Sequence, residues 1–145
     1  MTYKDFLESK IELATDSGFV VEPEHINKAL KPHQKDAVAW ALKGGRRALF
    51  ESFGLGKTVQ EIEFCHLAAE HENGRALIVL PLGVKQEFTR DAVEVLGYKE
   101  PEYCRTMEEV EQSKSQIVIT NYERVRDGDI RPEYFAATSL DEASV

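Results

Sequence analysis

From residue 46 onward, short apolar runs alternate with longer amphipathic stretches. Residues 48–50, 76–80 and 117–120 read as buried parallel strands, with a further strand expected at 137–140. Between them the spacing predicts helices near 57–71 and 84–96, and shorter ones near 107–113 and 132–136. Strands that alternate with helices in this way belong to a layered α/β fold with a parallel sheet. The first 45 residues follow a different pattern. Thr2 and Asp5 form a capping arrangement, and Leu7, Ile11 and Ala14 then recur at near-helical spacing, predicting a helix over 3–14 that Asp16-Ser17-Gly18 ends. Pro23 and Pro32 each stand where a helix can begin. The second opens a stronger one, with Ala37, Val38, Ala41 and Leu42 facing inward and Gly44-Gly45 stopping it. No internal repeat or low-complexity segment interrupts the pattern.

The totals narrow the picture further. A chain of 145 residues, 42% hydrophobic and 30% charged, fits one soluble domain with a real core. Its longest apolar run, residues 76–82, is too short to span a bilayer. The N-terminus lacks the apolar stretch of a secretion signal, and two cysteines make no disulfide framework, so a cytoplasmic compartment is expected. The net charge of −8 opposes nucleic-acid binding at first sight. Its distribution is uneven, however: residues 28–57 carry seven basic side chains against two acidic ones. A site for a polyanionic nucleotide needs such local positive charge whatever else the protein binds, so charge alone leaves the polymer question open.

The strongest local signal is Glu51-Ser52-Phe53-Gly54-Leu55-Gly56-Lys57-Thr58, between the strand ending at Phe50 and the helix starting near Lys57. Glu51 stands where the full phosphate-loop pattern has glycine. The physical core of the pattern is intact. Gly54 and Gly56 let the backbone wrap a phosphate, and the helix that follows aims its N–H groups and positive dipole end at the anion. Lys57 supplies a mobile point charge, and Thr58 offers a hydroxyl to Mg²⁺. The competing reading is a glycine turn before an ordinary helix with Lys57 solvated. A phosphate loop also needs a carboxylate at the end of another strand of the same sheet, and Asp141-Glu142 follows the last expected strand. Asp141 is placed to reach the metal through its water shell and Glu142 to orient and deprotonate the attacking water, although adjacent carboxylates on a loop are usually just solvated.

Taken together, these segments resemble helicase superfamily two, and within it the translocases of chromatin-remodeller type and their bacterial and phage relatives. Leu30-Lys31-Pro32-His33-Gln34 is similar to the Q motif, in which glutamine reads adenine, so Gln34 is expected at the base. The stretch from Phe53 to Gln60 resembles motif I, where an acidic residue at the Glu51 position is usual in that branch. The resemblance thus implies that Phe53, Gly54, Leu55, Gly56, Lys57 and Thr58 bind ATP. The segments around Pro81 and Lys85, and around Thr120 and Asn121, resemble motifs Ia and Ib, which border the nucleic-acid strand and contact its backbone. Asp141-Glu142-Ala143-Ser144 resembles motif II, a DEAD-type variant.

The resemblance implies a P-loop NTPase with a RecA-like three-layer sandwich and a mainly parallel sheet. A helical segment over residues 1–29 is expected to precede a partial first motor domain over 30–145. ATP and Mg²⁺ are the implied cofactors, Lys57 and Glu142 the catalytic residues, Thr58 and Asp141 the metal ligands. Nucleic acid is the implied partner, DNA in preference to RNA. The chain stops at Val145, so the family's motif III and second RecA-like domain are expected to be missing, with weak hydrolysis and an uncovered sheet edge open to self-association. A P-loop kinase or transporter-type ATPase, and a nucleotide-binding module without catalysis, are the alternatives.

Other groupings carry less. Cys65 and His66 with His71 suggest a metal, but residues five apart point to different helix faces and Cys65 lies on the apolar face with Ile62 and Ala69. Phe64, Trp40 and Tyr122 are expected to pack in core or rim rather than stack on bases. The acidic stretch 107–111 reads as a solvated helix face.

Overall fold

A computed structural model describes residues 18–45, 47–50 and 57–141. The helix expected over 3–14, the loop residues Phe53, Gly54, Leu55 and Gly56, and Glu142 lie outside the described residues.

Five strands form one sheet: β1 (Arg47–Phe50), β2 (Ala76–Val79), β3 (Glu102–Tyr103), β4 (Ile117–Thr120) and β5 (Ala137–Asp141). Their spatial order is β1-β5-β2-β4-β3, and every pairing is parallel. Parallel neighbours need crossovers, and helices supply them. The helices are α1 (Pro32–Gly44), α2 (Lys57–Glu72), α3 (Lys85–Arg90), α4 (Met107–Gln112) and α5 (Tyr122–Arg126).

The side-chain period of two in a strand sorts the apolar residues of β2 and β4 onto opposite faces. Ala76, Ile78, Leu80, Ile117 and Ile119 join one core with Val38 and Leu42 of α1, Ile62, Cys65, Ala68 and Ala69 of α2, and Phe88 of α3. Leu77, Val79, Val118 and Leu140 join a second core with Val110 of α4, Val125 of α5, Ile130 and Phe135. Helices therefore cover both faces of the sheet, which is why β2 and β4 are apolar along nearly their whole length rather than alternating. Among the described residues, no helix is long and apolar enough to cross a membrane.

The expected helix over 84–96 is divided: α3 gives way to a π-helical turn over Asp91–Val95, where Leu96 N–H donates to the Asp91 carbonyl at 3.0 Å. At 132–136 the expected helix is a 3₁₀ turn, Pro132–Tyr134, after which Phe135 is already extended on the way into β5. Pro23 likewise opens a 3₁₀ turn, Pro23–His25. Pro32 does begin α1, and Gly45, at φ 148°, takes the chain out of it in a conformation open to glycine. Gly18 is the first described residue and packs against α1. A Cβ there would lie 2.1 Å from the Lys43 carbonyl oxygen, so only glycine lets this segment run against the end of α1, where Phe19 N–H donates to the Leu42 carbonyl at 2.9 Å.

Candidate functional site

An all-parallel sheet gathers every strand's carboxyl end at one edge. The N-terminus of α2 opens there too, with Lys57 and Thr58 as its first residues. The early N–H groups of a helix have no intrahelical acceptor, and the aligned peptide dipoles make this end positive. Asp141 closes β5 beside it: in the β1–β5 register, Asp141 lies opposite Phe50, the last residue of β1. Lys57 Nζ donates to Asp141 Oδ1 at 2.5 Å, across 84 residues of sequence. The Asp141 side chain is 1% exposed and that of Lys57 14% exposed, so this is a nearly dry ion pair. One of the three ammonium donors serves Asp141.

A third ionisable group stands behind the pair. Glu61, one helical turn beyond Lys57, is fully buried, and Ser139 Oγ donates to its Oε1 at 3.0 Å. Its Oε2 has no hydrogen-bond partner among the described residues. Burial, and then the Asp141 carboxylate, push the Glu61 carboxyl well above its ordinary range, while the Lys57 ammonium and the Ser139 hydroxyl act in the opposite sense. The direction favours a neutral acid, which leaves the Lys57 charge to Asp141. Cys65, one further turn along α2, is also buried, and burial followed by Glu61 raises its thiol.

Thr58 is buried beside Lys57. Gln34 is buried in the first turn of α1, and its Oε1 accepts from Lys31 N–H at 2.8 Å, so this oxygen caps the helix. On the far side of α2, Glu63 is fully buried too. It accepts from the Tyr98 hydroxyl, and from Asn27 N–H at 2.8 Å. Asn27 Nδ2 then donates to the Leu96 carbonyl at 2.9 Å. This network ties the segment ahead of α1 to α2 and to the end of the π-helical turn.

A second cluster lies at the same edge, beyond β2. Pro81 starts the turn after β2, and Lys85 begins α3 with its Nζ 5.3 Å from the centre of the Tyr103 ring. The Tyr103 hydroxyl donates to Asn121 Oδ1 at 2.7 Å, and Asn121 Nδ2 donates to Glu123 Oε2 at 2.6 Å. Lys85 and Tyr103 also line a hollow of about 410 Å³ with Thr89, Glu100, Pro101 and Glu102. Lys85 and Asn121 are thus brought together through Tyr103. Thr120 is not at the surface with them: it is fully buried, and its hydroxyl donates to the Cys104 carbonyl at 2.9 Å. Both faces of β4 are covered, so its side chain is enclosed, and the bond ties the chain after β3 to β4.

The sequence motifs did not include Glu61, Ser139, Glu63, Tyr98 or Tyr103. For Glu61 a signal existed, since it precedes Cys65 by four residues and so shares the stripe that α2 buries. Cys65, His66 and His71 do not converge. Cys65 Sγ lies 3.9 Å from the Leu77 carbonyl, His66 contacts Gln116 and Glu70, and His71 stacks on Phe19 with centroids 3.8 Å apart. Among the described residues, no three His, Cys, Asp or Glu side chains are grouped to hold a metal. Phe64 is core, whereas Trp40 is 79% exposed on α1. In comparisons with known proteins, no family model matches the chain and no curated protein matches it.

Proposed function

We propose that this chain binds ATP with Mg²⁺ at the carboxyl edge of its sheet, and that it is the RecA-like nucleotide-binding domain of a cytoplasmic ATP-dependent helicase or translocase acting on DNA. The observation that carries the proposal is the Lys57–Asp141 contact at 2.5 Å. Two segments whose chemistry is complementary to a metal-bound triphosphate, far apart in sequence, meet at the N-terminus of one long helix. The donor set fits that ligand: an ammonium, a helix N-terminus with a threonine hydroxyl, and a buried carboxylate.

In this reading Lys57 binds the terminal phosphates, and Thr58 and Asp141 hold the metal. Bound Mg²⁺ neutralises the phosphate charge that develops during transfer. Glu142, next in sequence to Asp141, accepts the proton of the attacking water. Gln34 recognises adenine through its amide, with its Oε1 already oriented by Lys31. Lys85 and Asn121 touch the nucleic-acid backbone from the same sheet edge, on the far side of β2. Thr120 has no such part. Rapid hydrolysis in this reading needs an arginine finger from a second motor domain.

The test has two arms. Titration of a fluorescent ATP analogue into the chain with Mg²⁺ is expected to saturate, with affinity lost in Lys57→Ala; unchanged affinity in that variant rejects the nucleotide site. ATP turnover in the presence of a second motor domain is expected to rise on adding DNA. Binding without any stimulation by DNA or RNA leaves a nucleotide-binding module and rejects the motor.

A further inference from the structure

Lys57 and Glu61 are four residues apart on α2, and Ser139 and Asp141 are two apart on β5. A helix advances about 6.0 Å over four residues, and a parallel strand about 6.6 Å over two. Both pairs project from a single face of their element, one helical turn or one strand repeat apart. The two spacings match closely enough for side chains to meet in successive rungs. The first rung is Lys57–Asp141, at 2.5 Å, and the second is Glu61–Ser139, at 3.0 Å. Because Lys57 precedes Glu61 while Asp141 follows Ser139, the rungs require α2 to run antiparallel to β5. A helix that returns the chain between parallel strands does so.

The second rung is chemically unnecessary for packing. Glu61 and Ser139 are both fully buried, and Glu61 Oε2 has no partner among the described residues. A leucine would fill the same volume without desolvating a carboxyl group. What a directional bond gives in exchange is register: an apolar contact tolerates a slide of α2 along β5, and a hydrogen bond does not.

We infer that the Glu61–Ser139 bond is a buried tie that sets Asp141 against Lys57, making Glu61 a positioning residue of the proposed nucleotide site. The inference rests on the reading of Lys57 and Asp141 given above. Ser139 precedes Asp141 by one strand repeat, so a shift of the strand relative to the helix moves the Asp141 carboxylate by the same amount. Nucleotide contacts made by α2 alone would survive that shift. Contacts that need both α2 and β5, the metal-dependent ones, would not.

The experiment measures binding of a fluorescent ATP analogue to the whole chain, with Mg²⁺ and with the metal chelated, together with the melting temperature. Glu61→Leu and Ser139→Ala are each expected to weaken the Mg²⁺-dependent affinity about tenfold, with the chelated affinity unchanged. Combining them should add little to either, since both break the same bond. Glu61→Gln keeps the acceptor and the volume and should bind like the wild type. The inference is overturned if both single variants retain the full Mg²⁺ enhancement, if their effects add, or if Glu61→Gln is as weak as Glu61→Leu. Where Glu61→Leu fails to fold, Ser139→Ala decides alone, since it deletes one hydroxyl. A wild type that shows no affinity for the Mg²⁺ complex rejects the nucleotide site itself, whereas a wild type whose binding depends on Lys57 beside unaffected tie variants rejects only the positioning role.

Discussion

Replacing Lys57 by methionine isolates the energetics of the pair at the sheet edge. At 2.5 Å two unit charges in a medium of effective dielectric near 20 attract by about 7 kcal/mol. Desolvation takes back much of that attraction, because the Asp141 side chain is 1% exposed. Methionine keeps the stem's packing and removes the Lys57 counter-charge from beside the buried Asp141 carboxylate. Breaking one side of a buried pair costs about 3–5 kcal/mol. For 145 residues, an unfolding entropy of about 2.1 cal/mol/K per residue gives about 0.3 kcal/mol/K, so the melting temperature should fall by about 10–16 °C. Asp141→Asn in the same chain removes the carboxylate charge that Lys57 had offset and should recover most of the loss. The assay is calorimetric or circular-dichroism melting of wild type, Lys57→Met, Asp141→Asn and the double variant. If Lys57→Met melts within about 2 °C of wild type, or the two losses simply add, the pair is not the dry contact described.

Three further outcomes follow from the buried polar groups. Glu61 holds its proton in the folded chain at pH values where the unfolded chain has lost it, because burial foremost raises its carboxyl above 4.5. The associated stability is fully present below the unfolded value and declines as pH rises toward the folded one, by about 1.4 kcal/mol per pH unit within that window. Glu61→Gln does not titrate, so urea unfolding should show wild type losing stability relative to this variant as pH rises; a constant difference across the window contradicts the assignment. Tyr98→Phe removes the hydroxyl shared by Glu63 and Asn27, and denaturant unfolding should register a loss of about 1–3 kcal/mol, a loss below 0.5 kcal/mol showing that water replaces the bond. Both cysteines are buried with raised thiols, Cys104 up to about 11, so neither should react with a thiol reagent near pH 8 until the chain unfolds; rapid native labelling at either position argues against that burial.

Much of the sheet was legible in the residues because its strands are doubly covered. Runs such as 76–80 and 117–120 have no polar side to hide, and the Gly-Lys-Thr order located α2. The two-residue strand Glu102–Tyr103 was not legible, since its pairing with β4 is a backbone matter that leaves no apolar run. Nor was α5, whose five residues are too few to establish a period. Lys57 and Asp141 were readable as candidates from their residue types and positions, and the structure brings their side chains together. Thr120 was readable only as the end of a strand, and its burial depends on helices covering both faces of β4, which no local pattern states. Glu61 and Glu63 flank Ile62, and a carboxylate in such a place ordinarily reads as solvated. The i, i+4 spacing to Cys65 marks only Glu61, and the partners of both are remote, Ser139 at 78 residues and Asn27 and Tyr98 at 36 and 35, so no local pattern names those partners.

Those two glutamates decide how α2 behaves. Residues two apart on a helix differ by about 200° in direction, so Glu61 and Glu63 address nearly opposite sides of it. One side is fastened to β5 through Ser139; the other is fastened to Asn27 and Tyr98, ahead of α1 and beyond the π-helical turn. The carboxyl groups thus hold α2 in rotation as well as in register, and a helix so held cannot present Lys57 at the sheet edge independently of the segment that leads to Gln34. Rotating α2 by even a quarter turn would bury one carboxyl group without its partners, at a cost of about 1–3 kcal/mol for each. The end of the helix proposed to face phosphate and the segment proposed to read the base are therefore coupled through covalently rigid backbone between two buried acids, with no need for direct contact between Lys57 and Gln34.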